Sequence, residues 1–328
     1  MMHQPLVSIL IPVYNASATL AETVDSCLNQ EYGNVEIVLV DDSSKDDSFT
    51  IAENLAARYK NVKAFRQPNS GACAARNLAF ENASGEYIQY LDADDVLSPG
   101  KIRLQMEVAR GNPVNDIFFC RWKRFTNDIA KSTFINSKIY KTYENPADWL
   151  IDSWSGRGSM QTSCWLVHRE LIEAAGPWNE ALHKNQDGEF FCRVTLLANK
   201  MHFVENAIVY YRHSGLGSVG GQMSFKSCAS TLYSYELYRK HIRDIDDPAL
   251  QHASLLNFSQ FVKHVYPRHP ELIEKARNIL KSEGYDKFPV SRDWVMGGVY
   301  EVFGFNIAVR MEHLAKIARE QFRKLKAG

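Results

Sequence analysis

The first third of the chain repeats one pattern: a short run of β-branched and apolar residues, followed by a segment with apolar residues at helical spacing. The runs begin at Val7, Val35, Val62 and Tyr87, and the helical segments follow at 20–28, 48–58, 72–80 and 99–110. Alternation of strands and helices at these lengths is typical of a parallel, doubly wound sheet. The sequence therefore predicts an α/β fold, and it excludes an all-helical or all-β architecture for this part.

Polar side chains directly follow three of these predicted strands. They are Tyr14 and Asn15 after the first strand, Asp41 and Asp42 after the second, and Asp92, Asp94 and Asp95 after the fourth. In sheets of this kind, ligands bind at the carboxyl ends of the strands, near the point where the strand order reverses. We therefore expect these side chains to lie along one edge of the sheet and to form a binding site.

Two carboxylates one residue apart, Asp92 and Asp94, suggest a metal site at this edge. On a turn, such a pair can face one small volume, where Mg²⁺ or Mn²⁺ accepts oxygen ligands from protein, water and phosphate. A cation there would neutralise a diphosphate that develops charge as a leaving group. The alternative is a solvated turn in which Asp95 or Ser98 caps the next helix, with Pro99 at its first position.

Three further residues near the edge each allow a functional and a structural interpretation. An ionised Asp42 could accept the imide N–H of uracil while Tyr14 stacks on the base; otherwise Asp42 caps a helix and Tyr14 fills the core. Arg76, about one turn inside the third helix, could reach a phosphate, or it forms a structural ion pair.

Two later segments allow the same choice. Asp187 begins a helix, where it could accept a proton from a sugar hydroxyl or simply cap the helix. Arg212 and His213 precede a glycine-rich stretch, 214–222, which could close over a diphosphate or form a solvated loop.

Charge and cysteine content exclude several classes of protein. The chain has 38 Lys and Arg against 38 Asp and Glu, so it lacks the basic footprint of a nucleic-acid-binding protein. Its six cysteines include no C-x-x-C pair, which is typical of a reducing compartment. The first residues do not have the pattern of a signal peptide, and no segment reaches the ~20 apolar residues of a membrane-spanning helix. We expect a cytoplasmic protein that binds no nucleic acid.

The last third of the chain predicts helices interrupted by prolines. From Arg310 to Gly328 there are six Lys and Arg against two Glu, and apolar residues share one face of the predicted helix: Met311, Leu314, Ile317, Ala318 and Phe322. A basic amphipathic helix of this kind can make peripheral contact with an anionic membrane. Docking against the catalytic domain or a second copy of the chain is the alternative.

Taken together, the motifs resemble those of the family 2 glycosyltransferases, which have the GT-A fold. The matching strings, in the family's order, are VSILIPVYN, VLVDDSSKDDS, QPNSGACAARN, GEYIQYLDADD, TSCWLVHRELIEAAGPWNE, QDGEFFCRV and YRHSGLGS. The resemblance implies a GT-A catalytic domain at 1–218, with a nucleotide-sugar half at about 1–115 and an acceptor half at about 116–218. Residues 219–328 form a helical C-terminal region in this interpretation.

The resemblance also implies roles for individual residues. Asp187 would be the catalytic base, and Asp94 and Asp92 would be ligands of Mn²⁺ or Mg²⁺. The implied nucleotide-sugar contacts are Pro12, Tyr14, Asn15, Asp41, Asp42, Asn69, Arg76, Asp92, Ala93, Asp94, Arg212 and His213. The implied reaction is inverting transfer of one sugar from a nucleotide-diphosphate sugar, a UDP sugar, to a hydroxyl of a glycan, lipid-linked or other acceptor. Such a reaction belongs to the synthesis of surface polysaccharides or glycoconjugates.

Other functions are weighed against particular residues. The first strand is not followed by G-x-G-x-x-G, so a dinucleotide site is not predicted. A sugar-phosphate nucleotidyltransferase would need a glycine-rich basic loop there, and a non-catalytic sugar-nucleotide-binding scaffold would not need Asp92, Asp94 and Asp187 together.

Two departures from the family pattern bear on the reaction. Gln186 stands where the family commonly has an acid, and no Q-x-x-R-W string follows, which favours single transfer over polymerisation.

Overall fold

The chain forms two compact units in the computed structural model. The described residues are 4–213, 223–290, 296, 299–300 and 304–327, with side chains of the last helix described up to 318. Unit 1 comprises Met1–Leu150 and Arg157–Gly221, and unit 2 comprises Ile151–Gly156 and Gln222–Gly328. The short segment 151–156 thus belongs to unit 2. The division predicted from the sequence, which places all residues up to 218 in the first domain, does not include this exchange.

All described strands lie in unit 1 and form one sheet. They are β1 (Val7–Val13), β2 (Val35–Asp41), β3 (Val62–Arg66), β4 (Tyr87–Tyr90), β5 (Val96–Leu97), β6 (Ile117–Phe125), β7 (Thr133–Phe134), β8 (Trp165–His168) and β9 (Met201–Arg212). The strand order is β3-β2-β1-β4-β8-β6-β9-β5, with β7 paired to β6. The pairs β1–β2, β1–β4 and β2–β3 are parallel, which confirms the predicted parallel, doubly wound sheet for the first third of the chain. Beyond β4 the pairing is mixed, because β8 is antiparallel to both of its neighbours.

The helices that precede residue 213 belong to unit 1, except that the last four residues of α5 belong to unit 2. They are α1 (Leu20–Leu28), α2 (Ser48–Arg58), α3 (Ala72–Glu81), α4 (Lys101–Ala109), α5 (Pro146–Trp154), α6 (Arg169–Ala175) and α7 (Gln186–Leu197). The bounds of α2 agree with the prediction, but the predicted start of α4 at Pro99 is wrong. Ser98 does not cap this helix, because its backbone N–H donates to Ile208 O at 3.0 Å and its Oγ accepts the Ile208 N–H at 3.3 Å.

A proline near the end of β1, Pro12, lies where the pairing of β1 with β4 has ended. The last pair between β1 and β4 is Leu10 with Tyr90, and one more bond joins Leu91 N to Leu10 O at 3.0 Å. Backbone groups of alternate residues face the same neighbouring strand, so Pro12 faces the β4 side, like Leu10. Its missing N–H costs nothing there, since β4 has already ended. The gap between these two strands is the point where the strand order reverses.

Unit 2 is helical, as the sequence predicts. Its helices are α8 (Phe225–Ile242), α9 (Pro248–Val265), α10 (Pro270–Ser282) and α11 (Phe305–Ala327). Pro248 and Pro270 begin helices rather than interrupt them, and Asp247 caps α9 by accepting two backbone N–H groups. The glycine-rich stretch 214–222 lies outside the described residues. Within the described part of the chain, no helix is both long and apolar enough to cross a membrane.

Candidate functional site

The carboxyl ends of β1 and β2 are joined by short hydrogen bonds. Asp42 N donates to Val13 O at 2.8 Å, Asn15 N donates to Ser44 Oγ at 2.9 Å, and Lys45 N donates to the side-chain oxygen of Asn15 at 2.8 Å. The side chain of Tyr14 does not take part, and 48% of it is exposed. Tyr14 and Asn15 therefore lie at the predicted edge, but only the Tyr14 ring is available to stack on a flat ligand.

Residues with left-handed backbone conformation border the predicted site. Among the described non-glycine residues, φ is positive at Asn15 (49°), Ser43 (57°), Asn185 (58°) and His269 (51°). The first three directly adjoin Tyr14, Asp42 and the start of α7. This conformation is strained for residues with a side chain, and such strain is concentrated at functional sites because the surrounding structure has to hold it.

The acidic pair after β2 is bound to the protein itself. Asp41 is fully buried, and its Oδ2 accepts Ser44 N at 3.1 Å and contacts Arg66 Nε at 3.3 Å. Asp42, 4% exposed, accepts four N–H groups from residues 67–71. The donors are the side chains of Gln67 (2.8 Å) and Asn69 (3.2 Å) and the backbone N–H groups of Ser70 (2.7 Å) and Gly71 (2.9 Å). A carboxylate has about four acceptor sites, so Asp42 is saturated and fixes the loop that leads into α3.

The turn after β4 carries the second acidic pair. Asp95 N donates to Asp92 O at 3.1 Å, and the Ala93 carbonyl accepts the hydroxyl groups of Thr19 (2.9 Å) and Thr23 (3.0 Å) on α1. The turn is therefore attached to the helix after β1. Burial, and then the charge of Asp92, raise the pKa of Asp94 to about 6. Unlike Asp42, this carboxyl group is poorly compensated by its surroundings.

The third carboxylate of this run, Asp95, attaches the turn to the other half of the sheet. Its Oδ2 accepts the Ser163 hydroxyl at 2.9 Å and its Oδ1 accepts Arg212 N at 3.0 Å. It is fully buried, and burial, followed by the charges of Asp92 and Asp94, raises its pKa. Asp95 therefore positions the turn and is not exposed to a ligand.

Arg212, at the end of β9, is held by protein groups. Its Nε donates to Asp94 O at 2.9 Å, its Nη1 donates to Thr126 O at 3.3 Å, and its Nη2 pairs with Glu22. Only 12% of its side chain is exposed. In this conformation the guanidinium group supports the D-x-D turn, and a contact with diphosphate stays a prediction. His213 follows it with an exposed side chain, and its backbone N–H donates to Phe125 O at 2.7 Å.

Arg76 joins the D-x-D turn to the start of α7. Its Nη2 forms an ion pair with Asp92 Oδ1 at 2.8 Å, and its Nη1 donates to Gln186 Oε1 at 3.1 Å. The guanidinium group lies over the ring of Trp178, 4.5 Å from the centroid, and only 8% of the side chain is exposed. Because one buried side chain contacts both elements, Asp92 and the residue that precedes Asp187 lie in the same site.

Asp187 lies in the first turn of α7 and is partly buried. Burial raises its pKa, although the backbone N–H of Gly188 and the charge of Arg76 oppose this effect, and Asp92 is near enough to raise it further. A carboxylate with a raised pKa is a stronger base than an ordinary Asp side chain. This environment is compatible with proton transfer by Asp187, and its role as the base stays a prediction.

The donor set at the D-x-D turn fits a hard divalent cation that arrives with a ligand. Among the described residues, no group of three or more His, Cys, Asp and Glu side chains could hold a metal. Asp92 and Asp94 offer carboxylate oxygens, of which one is taken by Arg76. Mg²⁺ and Mn²⁺ are commonly bound by one or two carboxylates together with phosphate oxygens and water. The raised pKa of Asp94 indicates that a positive charge there would lower the energy of its ionised form.

Several residues of the site were not predicted to belong to it. They are Gln67, Glu22, Ser163, Trp178 and Gln186, each of which contacts a predicted residue. They are far in sequence from their partners; Glu22, for example, precedes Arg212 by 190 positions.

A comparison with known proteins identifies relatives for most of unit 1. A family model described as "Glycosyl transferase family 2" matches residues 8–174. An "Uncharacterized glycosyltransferase" of Haemophilus influenzae is 46% identical over 106 residues, which are 32% of this chain and 42% of that protein. "Putative glycosyltransferase EpsH" of Bacillus subtilis is 28% identical over 294 residues, which are 85% of this chain and 83% of that protein. The chain thus spans less than half of the first relative and most of EpsH.

Solved structures show the same fold. The crystal structure of S. aureus TarS has a TM-score of 0.60 at 19% identity, covering 81% of this chain and 44% of TarS. The structure of TarS 1–349 in complex with UDP has a TM-score of 0.54 at 17% identity, covering 86% of this chain and 88% of that one. At these identities the similarity concerns the fold alone. The predicted α/β fold of the GT-A type is confirmed.

Proposed function

This chain belongs to glycosyltransferase family 2, and from that premise we propose that it transfers one sugar, with inversion, from a UDP sugar to an acceptor hydroxyl. The observation that carries the proposal is the position of Arg76, which contacts Asp92 on the D-x-D turn and Gln186 beside Asp187. A diphosphate-binding turn and a base in one site are what a direct displacement requires. The complex of the related TarS fold with UDP supports uridine as the nucleoside.

The proposed reaction is a single displacement. Asp187 accepts the proton of the acceptor hydroxyl while that oxygen bonds to the anomeric carbon, and the bond from this carbon to the β-phosphate oxygen breaks. UDP leaves as an anion, so no enzyme acid is needed at the leaving group, in contrast to glycoside hydrolysis. A divalent cation held by Asp94 and Asp92 would neutralise part of the diphosphate charge.

The residues around the turn keep this arrangement rigid. Arg212 holds the Asp94 carbonyl, Thr19 and Thr23 hold the Ala93 carbonyl, and Asp95 closes the turn onto β9. Groups that are positioned before the substrate binds need no reorganisation during the reaction. We propose that this set, rather than a direct contact from Arg212, is what positions the diphosphate.

The two residues proposed to bind uracil, Tyr14 and Asp42, differ in whether their side chains already have partners in the protein. Tyr14 is exposed and suits stacking on uracil. Asp42 already accepts four N–H groups, so an imide N–H would have to displace one of them. The side-chain amides of Gln67 and Asn69 can rotate away more easily than the backbone donors, and we therefore propose that one of them leaves when uracil binds.

The proposed acceptor is a glycan or lipid-linked hydroxyl in surface polysaccharide or glycoconjugate synthesis on the cytoplasmic side. Single transfer rather than polymerisation follows the absence of Q-x-x-R-W after Asp187.

The proposal is tested with a panel of UDP, GDP and dTDP sugars, each with and without Mn²⁺. We expect UDP sugars to raise the unfolding temperature only in the presence of the cation and to release UDP slowly by hydrolysis. A shift with GDP sugars instead would contradict the assignment of uridine, and no shift with any donor would contradict the proposed function.

Substitution of Arg76 tests the observation that carries the proposal. Arg76→Gln should weaken Mn²⁺-dependent UDP binding and also lower the transfer rate, because it separates the turn from α7. Arg58→Gln on α2 is the matched control, since Arg58 is exposed and away from the site. Equal UDP binding and equal transfer rates of the two variants would show that Arg76 does not organise the site.

A further inference from the structure

Among the described side chains of the last described helix, α11, one apolar set is buried and a second apolar set is exposed. Phe305 (7% exposed), Ala308 (0%) and Val309 (2%) are buried, and Phe305 and Val309 belong to the hydrophobic core of unit 2. A second set is exposed: Ile307 (46%), Met311 (46%), Leu314 (57%) and Ile317 (39%). We call this second set the apolar stripe.

The apolar stripe is continuous along the helix. Its members follow one another at intervals of four, three and three residues, which places neighbours on the same side of an α-helix. Leu314 and Met311 lie in its centre, and Ala318, also exposed, extends it by a further turn. Four large apolar side chains in line are a common sign of a binding surface, whereas single exposed ones are ordinary.

The stripe lies in the most basic part of the chain. The whole chain has equal numbers of acidic and basic residues, but Arg310 to Gly328 contains six Lys and Arg against two Glu. In the described structure Arg310 is exposed, and a cavity of about 980 Å³ in unit 2 is lined along the same helix by Glu312, His313, Lys316 and Ile317. Lys263, His264 and Arg268 line it from α9 and the residues that follow. Around this part of α11, basic side chains therefore outnumber the acidic Glu312.

We propose that α11 docks on the surface of an anionic phospholipid membrane, with the apolar stripe inserted among the acyl chains and the basic groups against headgroup phosphates. Apolar residues on one side of a helix and Lys and Arg beside them are the features that hold a helix in the membrane interface. The negative surface potential of anionic lipids adds an attraction for each basic residue near the surface. Docking would bring the enzyme to a surface on which lipid-linked acceptors are found, but it does not depend on the identity of the donor.

A second copy of the chain fits the stripe less well. A symmetric dimer through α11 would place the same face of both helices together. Each helix has an excess of four positive charges from Arg310 onward, so the pair would repel. An anionic lipid surface satisfies the apolar and the basic groups at once, and for this reason we assign the surface to lipid.

The test is co-sedimentation of the full chain with vesicles of phosphatidylcholine alone or mixed with equal phosphatidylglycerol. We expect binding to the mixed vesicles and at least about tenfold weaker binding to the neutral ones at low salt. Met311→Ser with Leu314→Ser should lower the partition coefficient on mixed vesicles about tenfold or more. Replacing Arg310 and Lys316 by Gln should lower binding to the mixed vesicles and leave binding to the neutral vesicles unchanged.

Matched controls separate docking from loss of structure. Tyr233→Ser removes an exposed aromatic side chain from α8 of the same unit, and Lys240→Gln removes an exposed charge from the same helix; both should bind like the original chain. Circular dichroism and UDP-sugar hydrolysis should be unchanged in every variant, so a failure of docking is distinguishable from a failure of the proposed function. Equal binding of the stripe variant and the original chain would overturn the proposal. So would a dimer in solution that the stripe variant dissociates.

Discussion

Two acidic pairs stand at neighbouring strand ends, and the protein treats them in opposite ways. Asp41 and Asp42, after β2, are buried and bound by protein groups: Oδ2 of Asp41 contacts Ser44 and Arg66, and Asp42 accepts four N–H groups of the loop before α3. Of the pair after β4, Asp92 forms an ion pair with Arg76, no ion pair is described for the Asp94 side chain, and the pKa of Asp94 is raised to about 6. Two pairs of Asp residues at equivalent positions thus differ in how well neighbouring groups stabilise their ionised carboxylates.

This difference indicates a division of labour. Carboxylates that accept many N–H groups stabilise the fold and fix neighbouring loops, since their charge is already compensated. Carboxylates that are close together and poorly compensated are costly for the folded protein, and they are retained where a cation or a proton has to be bound. We infer that the β2 pair builds the edge and that the β4 pair, with Asp187, performs its chemistry.

The largest effect is expected from Asp187→Asn. The amide is nearly isosteric but cannot accept the proton of the acceptor, so the transfer rate should fall by about 10²- to 10⁴-fold. Donor binding should be largely retained, because α7 and its contact with Arg76 remain. Single-turnover transfer and UDP-sugar binding measure the two quantities, and Asp25→Asn, at an exposed position of α1, serves as the control. Retained turnover would contradict the assignment of the base.

The second effect contrasts one member of each pair. Asp94→Asn should weaken Mn²⁺-dependent UDP binding by about a hundredfold, because a neutral amide is a poor ligand for a hard cation. Asp42→Asn should weaken UDP binding by the same factor with and without Mn²⁺, and this factor should be smaller than the effect of Asp94→Asn. Titration calorimetry with UDP in both conditions distinguishes them. If both variants lost the dependence on Mn²⁺ equally, the proposed difference between the pairs would be incorrect.

The third effect concerns stability. Asp42→Ala removes an acceptor of four N–H groups, and it should lower the free energy of unfolding by about 1–2 kcal/mol, since water can reach part of the loop. Asp94→Ala should have no such cost, because the ionised carboxyl group is unfavourable in its surroundings. Urea unfolding at pH 7.5 without metal measures both. A larger loss for Asp94→Ala than for Asp42→Ala would reverse the comparison.

The contrast between the pairs was not predictable from the sequence, although their positions were. Strand ends follow from local periodicity, and Asp92 and Asp94 stand out because they directly follow a strand. Whether a carboxylate is compensated depends on residues distant in the chain, such as Ser70 for Asp42 and Arg76 for Asp92. No local pattern indicates these pairings.

The same limit applies to Arg212 and to the start of α4. The sequence places Arg212 before a glycine-rich stretch, which suggests a loop that closes on a ligand, but its side chain contacts Glu22 and the Asp94 carbonyl. Ser98 and Pro99 have the composition of a helix start, yet Ser98 pairs with β9 instead. In both cases a contact with residues distant in the chain overrides the local preference.

The smallest effect is a pH dependence that should distinguish the two pairs without mutation. The pKa of Asp94 is raised to about 6, so its proton competes with a cation below that pH, and the affinity for Mn²⁺ in the presence of UDP should fall by about tenfold per pH unit between pH 6 and 5. The sign is reversed for the stability of the metal-free protein. Its folded form binds the Asp94 proton more tightly than the unfolded chain does, so the contribution of this group to stability decreases as pH rises through about 6.

Titration of Mn²⁺ into the UDP complex at several pH values, with unfolding curves over the same range, measures both trends. The Asp94→Asn variant is the control: it should not show the loss of Mn²⁺ affinity between pH 6 and 5, and its unfolding curves should lack only the contribution of this group, since the pKa values of Asp95 and Asp187 are also raised. Loss of Mn²⁺ affinity only below pH 4 would mean that burial and the charge of Asp92 do not raise the pKa of Asp94. The carboxylates after β4 would then not be poorly compensated.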